Sequence, residues 1–204
     1  MKTVFLFLTS FLLFSFSGNK DAVSLSKKER KSAVKLLQDT QKGVFKAVDG
    51  LSEAQLTFKP APDVWSVEEC VKHIAITEQG LWQMTNGAIT AAANPEKRAE
   101  VKATDEQVVQ MVGSREKKVK TFSTMEPQNT PYKSLTEALE SFKTDRGKLI
   151  EFVKSTNDDL RNHVSTLPIG SFDSYQMILF IAAHSKRHTL QIEEVKANPD
   201  FPKG

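Results

Sequence analysis

From Lys27 onward the apolar residues return at intervals of three and four, the period of an amphipathic helix, in five separate stretches. The first, Lys27 to Val48, aligns Val34, Leu37, Val44, Phe45 and Val48, and Gly50 ends it. A connection over 51–64, with Pro60 and Pro62, leads to a second helix that opens at Ser66-Val67-Glu68-Glu69 and runs to about Ala92, short of Pro95. Ser66 and Glu69 form a capping box, in which each side chain satisfies a backbone amide that the helix end would leave unpaired. Trp65, just ahead of the cap, is placed to staple back onto Cys70. A third helix starts at the box Thr104-Asp105-Glu106-Gln107 and is expected to reach about Thr121, packing through Val108, Met111, Val112 and Val119 while Arg115, Glu116, Lys117, Lys118 and Lys120 face solvent. After a Pro127- and Pro131-containing loop, Ser134-Leu135-Thr136-Glu137 caps a fourth helix to about Ser155, striped by Leu139, Phe142, Leu149, Phe152 and Val153. Residues 156–172 read as a linker with Pro168 and Gly170, and the last helix runs from Asp173 or Ser174 to about Lys196, ended by Asn198-Pro199. No strand pattern and no repeat stands out. Four long helices and one short one predict an all-α fold, a four-helix bundle with one additional short helix in the crossover.

The N-terminus has a different pattern. Met1-Lys2-Thr3 precedes an apolar run, Val4 to Phe16, of about 13 residues, followed by Ser17-Gly18. A helix needs about 20 apolar residues to span a bilayer. A basic start, a short apolar middle and small residues after it describe a secretory signal peptide. Residues 1–18 are therefore expected to be removed, leaving one domain over 24–204 with no stable membrane anchor, in a secreted or periplasmic location. No cysteine follows the run to take a lipid.

Composition narrows the function classes. The 204 residues are 39% hydrophobic and 26% charged, an ordinary globular balance that excludes a disordered chain. With Lys2 removed, 27 Lys and Arg face 25 Asp and Glu, a net charge of +2. So small an excess, without a basic stripe, does not point to nucleic acid. The single cysteine, Cys70, excludes an intramolecular disulfide.

Only four histidines are present, and three of them fall on apolar helical faces. His184 and His188 are four residues apart on the last helix, so both rings project on one side one turn apart, the arrangement two ligands of one ion require. At about 100° per residue, Met177, Phe180, Ile181, Gln191, Ile192 and Val195 share an arc of roughly 120° with them. Two buried imidazoles without partners would cost free energy, and an ion relieves that cost. His73 shares a face of the second helix with Cys70, Thr77, Gly80 and Met84. If those two helices are neighbours, His73 completes a three-histidine site with a fourth position open; otherwise it is a hydrogen-bonded core histidine. Cys70 is either a fourth ligand, a nucleophile or a small buried residue under Trp65. Glu69, one turn before His73, is a candidate base or hydrogen-bond acceptor, although capping already accounts for it. Gln191, one turn after His188, can orient a ligand or a water on the ion. His163 lies in the linker, outside the pattern.

These residues carry a family resemblance. Leu51-Ser52, the Trp65-Ser66 pair with His73-Ile74 eight residues on, the run His184-Ser185-Lys186-Arg187-His188-Thr189-Leu190-Gln191-Ile192 and the segment Asn198 to Pro202 together resemble the DinB-like superfamily. The resemblance implies a four-helix bundle whose histidines, here His73, His184 and His188, hold a divalent metal ion, zinc or nickel. It also implies one of two activities, metal-dependent hydrolysis or thiol S-transfer with a low-molecular-weight thiol, on a small-molecule substrate. Export favours hydrolysis, because reduced thiol cosubstrates are cytosolic. A non-catalytic bundle stabilised by its metal is the third reading, and pairing of helix faces into a homodimer is open to such a bundle.

Overall fold

The computed structural model describes residues 24–117 and 121–203; the expected signal peptide lies outside them. The helices are α1 (Lys27–Val48), α2 (Glu53–Thr57), α3 (Val67–Thr90), α4 (Asp105–Gly113), α5 (Leu135–Ser155) and α6 (Ser174–Lys196). Each long helix begins where its cap predicts. The side chains of Ser26, Ser66, Ser134 and Asp173 accept from the amides of Glu29, Glu69, Glu137 and Gln176. Gly50, at φ 69°, takes the left-handed conformation that lets the chain turn away after α1.

The bundle consists of α1, α3, α5 and α6, arranged so that α1 touches α5 and α6, and α3 touches the same two. Interhelical bonds fix the directions. The Tyr175 hydroxyl donates to the Glu29 carbonyl at 2.9 Å and Lys196 to the Ala47 carbonyl at 3.1 Å, so α6 runs parallel to α1. Arg30, near the start of α1, donates to the carbonyls of Val153 and Thr156 at the end of α5, which is therefore antiparallel to α1. Trp82 packs on Phe152 at 4.9 Å and Glu78 bonds Arg146, so α3 and α5 are parallel. Two parallel neighbours need a long connection, and residues 91–134 supply it, with α4 laid along α6 on the way.

The core falls into two apolar clusters. One includes Leu37, Leu81, Leu149 and Ile181; the other includes Val44, Ile74, Phe142 and Ile192. Between them lies a polar layer made by one residue or more from each bundle helix. Arg146, 0% exposed, donates to both oxygens of Glu78 at 2.6 and 2.7 Å, and to the Leu37 carbonyl, Thr40 Oγ1 and Ser185 Oγ, each at 2.8 Å. All five guanidinium hydrogens are used, the condition under which a buried ion pair is tolerated.

Three features depart from the sequence reading. The third predicted helix, α4, ends at Gly113 rather than near Thr121. Beyond it the chain is held by tertiary bonds instead, Arg115 to Glu194 and the Lys117 carbonyl to Arg187. Met111, expected to pack, is exposed instead, and Val119 lies outside the described residues. The linker holds a β-hairpin, β1 (Val164–Leu167) and β2 (Gly170–Asp173), with Val164 opposite Asp173 and Leu167 opposite Gly170. The connection after α1 contains α2, whose Gln55 donates to the Pro202 carbonyl at 2.9 Å and so ties down the C-terminus.

Candidate metal centre

Because α3 and α6 are antiparallel neighbours, His73 near the start of α3 meets His184 and His188 near the middle of α6. Among the described residues these three form the one group of histidines, cysteines and carboxylates whose donor atoms converge, all within 4.8 Å of one another. His184 Nε2 stands 3.2 Å from His73 Nε2 and 3.1 Å from His188 Nε2. A tetrahedral ion with metal–nitrogen bonds of about 2.0–2.1 Å sets its ligand nitrogens roughly 3.3 Å apart, so the spacing fits such an ion.

The outer nitrogens decide what the inner ones carry. His73 Nδ1 lies 2.7 Å from the Met125 carbonyl, and His188 Nδ1 lies 2.9 Å from Gln191 Oε1. Both partners are acceptors, so both Nδ1 atoms hold the proton and both Nε2 atoms present a lone pair. His184 Nε2 faces two lone pairs and has at most one proton to offer. One of the two contacts is then acceptor to acceptor, a repulsion that a cation at the centre removes. Burial holds His73 down to about 4, against the pull of its bond to Met125. Burial, neighbouring imidazoles and the Arg187 charge hold His184 and His188 well below their ordinary range. All three rings are neutral at physiological pH, which is the protonation state a metal ligand needs. His73 and His188 are buried, whereas His184 is partly exposed.

Two neighbours close the other sides. The Trp65 ring sits 4.8 Å from the His73 ring and 5.9 Å from that of His188, between centroids, while its apolar surroundings include the cluster that holds Cys70. From the crossover, the turn at Ser123–Met125 brings the Met125 carbonyl to His73; Gly80 leaves room for the Met125 methyl, which would lie 3.0 Å from a Cβ there. Thr77 donates its hydroxyl toward Met125 Sδ at 3.9 Å and stands 3.4 Å from His73 Nδ1.

The remaining candidates are placed elsewhere. Glu69 accepts from the Ser66 amide at 2.8 Å and from Lys59 at 3.0 Å, so both oxygens serve the cap and a surface ion pair, and its carboxylate is not in the converging group. Cys70 is fully buried in apolar surroundings that push its thiol up and keep it neutral, and its sulfur does not join the histidines. Gln191 is fastened to His188 and lines a cavity of about 140 Å³ with Pro60, Val64, Arg115, Glu194, Val195 and Asn198. His163 is buried beside the hairpin, where its carbonyl accepts from the Ser174 amide at 2.9 Å; its Nδ1 has no hydrogen-bond partner among the described residues.

The DinB superfamily model matches residues 36–192, a span that contains all three histidines. The chain belongs to the DinB superfamily. A relative in that direction is the uncharacterised protein YuaE of Bacillus subtilis (strain 168), 26% identical over 148 residues that cover 72% of this chain and 86% of YuaE. The solved structure of YfiT from Bacillus subtilis superposes with a TM-score of 0.57 at 15% identity, covering 85% of this chain and 89% of that one. YfiT is described as a probable metal-dependent hydrolase with an unusual four-helix bundle topology. The likeness shows that the two proteins share the four-helix bundle fold.

Sequence reasoning missed Met125 and the Glu78–Arg146 layer, and placed Thr77 on the face of His73 without giving it a role. Met125 contributes through its backbone, so its side chain carries no signal. Glu78 and Arg146 did leave one, since each is a charged residue at a position where the apolar stripe of its helix should continue.

Proposed function

We propose that this DinB-superfamily protein is an exported metal-dependent hydrolase of a small molecule, with a zinc or nickel ion held by His73, His184 and His188. The convergence of three Nε2 atoms on neutral imidazoles carries the reading. The description of YfiT supports hydrolysis, and so does the signal-like N-terminus, because the space outside the membrane is poor in reduced thiols.

When bound, the ion supplies Lewis acidity toward a carbonyl or phosphoryl oxygen and lowers the pKa of water. The chain's own residues prepare that chemistry. Met125 and Gln191 fix the tautomers of His73 and His188, so neither ring has to reorganise to bind. Trp65 covers the rings on one side and excludes water there. Gln191 acts as a positioning residue through His188. Glu69, engaged in the helix cap, is left without a proton-transfer role.

Elemental analysis of the untagged protein tests the centre. The expected result is about one equivalent of divalent metal for the native chain and less than a tenth of that for His184→Ala at unchanged helicity. Native protein that stays metal-free after incubation with zinc or nickel overturns the reading. For the reaction, a panel of carboxylic esters, amides and phosphoesters should reveal turnover that chelation removes and metal restores. Metal-dependent consumption of a low-molecular-weight thiol instead would assign S-transfer. Fractionation of producing cells, with sequencing of the mature N-terminus, tests export.

A further inference from the structure

Arg187 sits between the two α6 histidines in sequence, about 60° around the helix from His184. Its side chain is a buried cation, with the residue only 8% exposed, and among the described residues no carboxylate lies within ion-pair distance of it. It bonds the Lys117 carbonyl, where the crossover leaves α4 and passes beside α6. His73 receives the same crossover further on, at Met125. Arg187 therefore lies on the side of α6 that the crossover passes, and its charge is felt at both His184 and His188.

The carboxylates around the centre are all committed. Glu78 is matched by Arg146, Glu69 by Lys59, and Glu194 by Arg115, which holds it through two bonds of 3.1 and 2.8 Å. The three histidine ligands are neutral, so they add no negative charge to offset either a divalent ion or Arg187. A buried guanidinium without a counter-charge is costly unless an anion reaches it. Its flat fork is built to take two oxygens of one oxyanion.

We propose that Arg187 recognises an oxyanion on the substrate of this centre, a carboxylate or a phosphate group, and so selects anionic small molecules. The proposal rests on the metal reading above and adds the substrate class to it. Arg187 is a specificity-determining residue in this role, distinct from the histidines that hold the ion.

The test uses the full mature chain loaded with cobalt alone, whose visible spectrum reports on the centre. Sodium acetate, sodium phosphate and neutral acetamide are titrated separately at constant ionic strength. Acetate, phosphate or both should shift the spectrum with saturation, while acetamide at the same concentrations leaves it unchanged; the stronger of the two anions identifies the group. Arg187→Gln, which keeps an amide donor for the Lys117 carbonyl but loses the charge, should weaken anion binding at least ten-fold at equal cobalt content and equal melting temperature. Arg187→Lys should recover most of the affinity. Equal response to acetate and acetamide, no response to either anion, or anion binding unchanged in Arg187→Gln overturns the proposal while leaving the metal centre standing. Failure of the native chain to take up cobalt overturns the metal reading, and this proposal with it. If Arg187→Gln melts early, the comparison is made on Arg187→Lys and Arg187→Met together, and a loss in both without a difference between them assigns Arg187 a purely structural role.

Discussion

Trp65 lies against two of the three histidines, with its ring at 28° to that of His188, while the second tryptophan, Trp82, packs away from them against Phe152 at 58°. The indole is therefore a built-in reporter of the centre. Nickel or cobalt, with partly filled d shells, should quench the fluorescence of Trp82→Phe strongly on addition of one equivalent, and zinc should not. Trp65→Phe should lose that response and keep the emission of Trp82. A nickel titration that quenches both variants alike would show that the ion binds away from the histidines. The histidines themselves were legible in the sequence because helical periodicity fixes which face a side chain takes, and His184, His188 and Gln191 needed nothing more. Trp65 was half legible. Its position before the cap was read correctly, but whether a staple lies on Cys70 or on His73 depends on how α6 packs across α3, and local spacing does not contain that information. Met125 was hidden altogether, since a backbone carbonyl is offered by every residue.

Helix boundaries were readable wherever a side-chain cap sets them, because the N-cap bond is local in sequence. Boundaries set by tertiary contact were not. The end of α4 falls at Gly113, where Arg115 and Lys117 turn to α6, and the hairpin strands are four residues each, too short to show an alternation above the noise of a polar linker. The parallel pairing of α3 with α5 was equally out of reach, but its consequence is testable. Arg146 bonds one residue or more on each of the other three bundle helices, and burial pushes the Glu78 carboxyl up while the Arg146 charge and hydrogen bonds pull it down. Arg146→Ala strands a buried carboxylate and polar partners on three helices, and the expected loss in urea unfolding is about 3–5 kcal/mol. The paired change Glu78→Leu with Arg146→Met should recover much of that loss, because an apolar layer of similar volume removes the desolvation cost. A single Arg146→Ala variant within about 1 kcal/mol of the native chain would place the layer among exposed-type ion pairs, which contribute little.

At the scale of the whole molecule, the end of the bundle away from the histidines is organised around Arg161, with Arg98 also paired to Asp173 at 2.6 Å. Arg161 donates to Glu29 at 2.6 Å, to Asp105 at 2.9 and 2.7 Å and to Asp173 at 3.0 Å, and its guanidinium lies 4.3 Å over the Tyr175 ring. The three carboxylates belong to the first turn of α1, the first turn of α4 and the N-cap of α6, so a single side chain draws together three helix N-termini where negative charge is already favoured. Burial alone would push Glu29 up, but hydrogen bonds from Arg161 and from Ser26 outweigh it and hold the carboxyl at about 2, from an ordinary value of 4.5. A group with a lowered folded pKa binds fewer protons folded than unfolded between those two values. Its contribution to stability is therefore complete above about pH 4.5 and is lost as pH falls toward 2. The urea midpoint of the native chain should fall through that window, and Glu29→Gln should start lower at pH 7 and show a flatter descent. Parallel curves for the two proteins between pH 4.5 and 2 would mean that Glu29 titrates alike in both states. Along α6 the fifteen residue steps from Asp173 to His188 span roughly 22 Å, beyond the reach of direct coupling. Glu29→Gln should accordingly change the acid response of the fold while leaving metal content per chain as it is. A variant that loses both would show the two ends of the bundle unfolding as one unit with the centre.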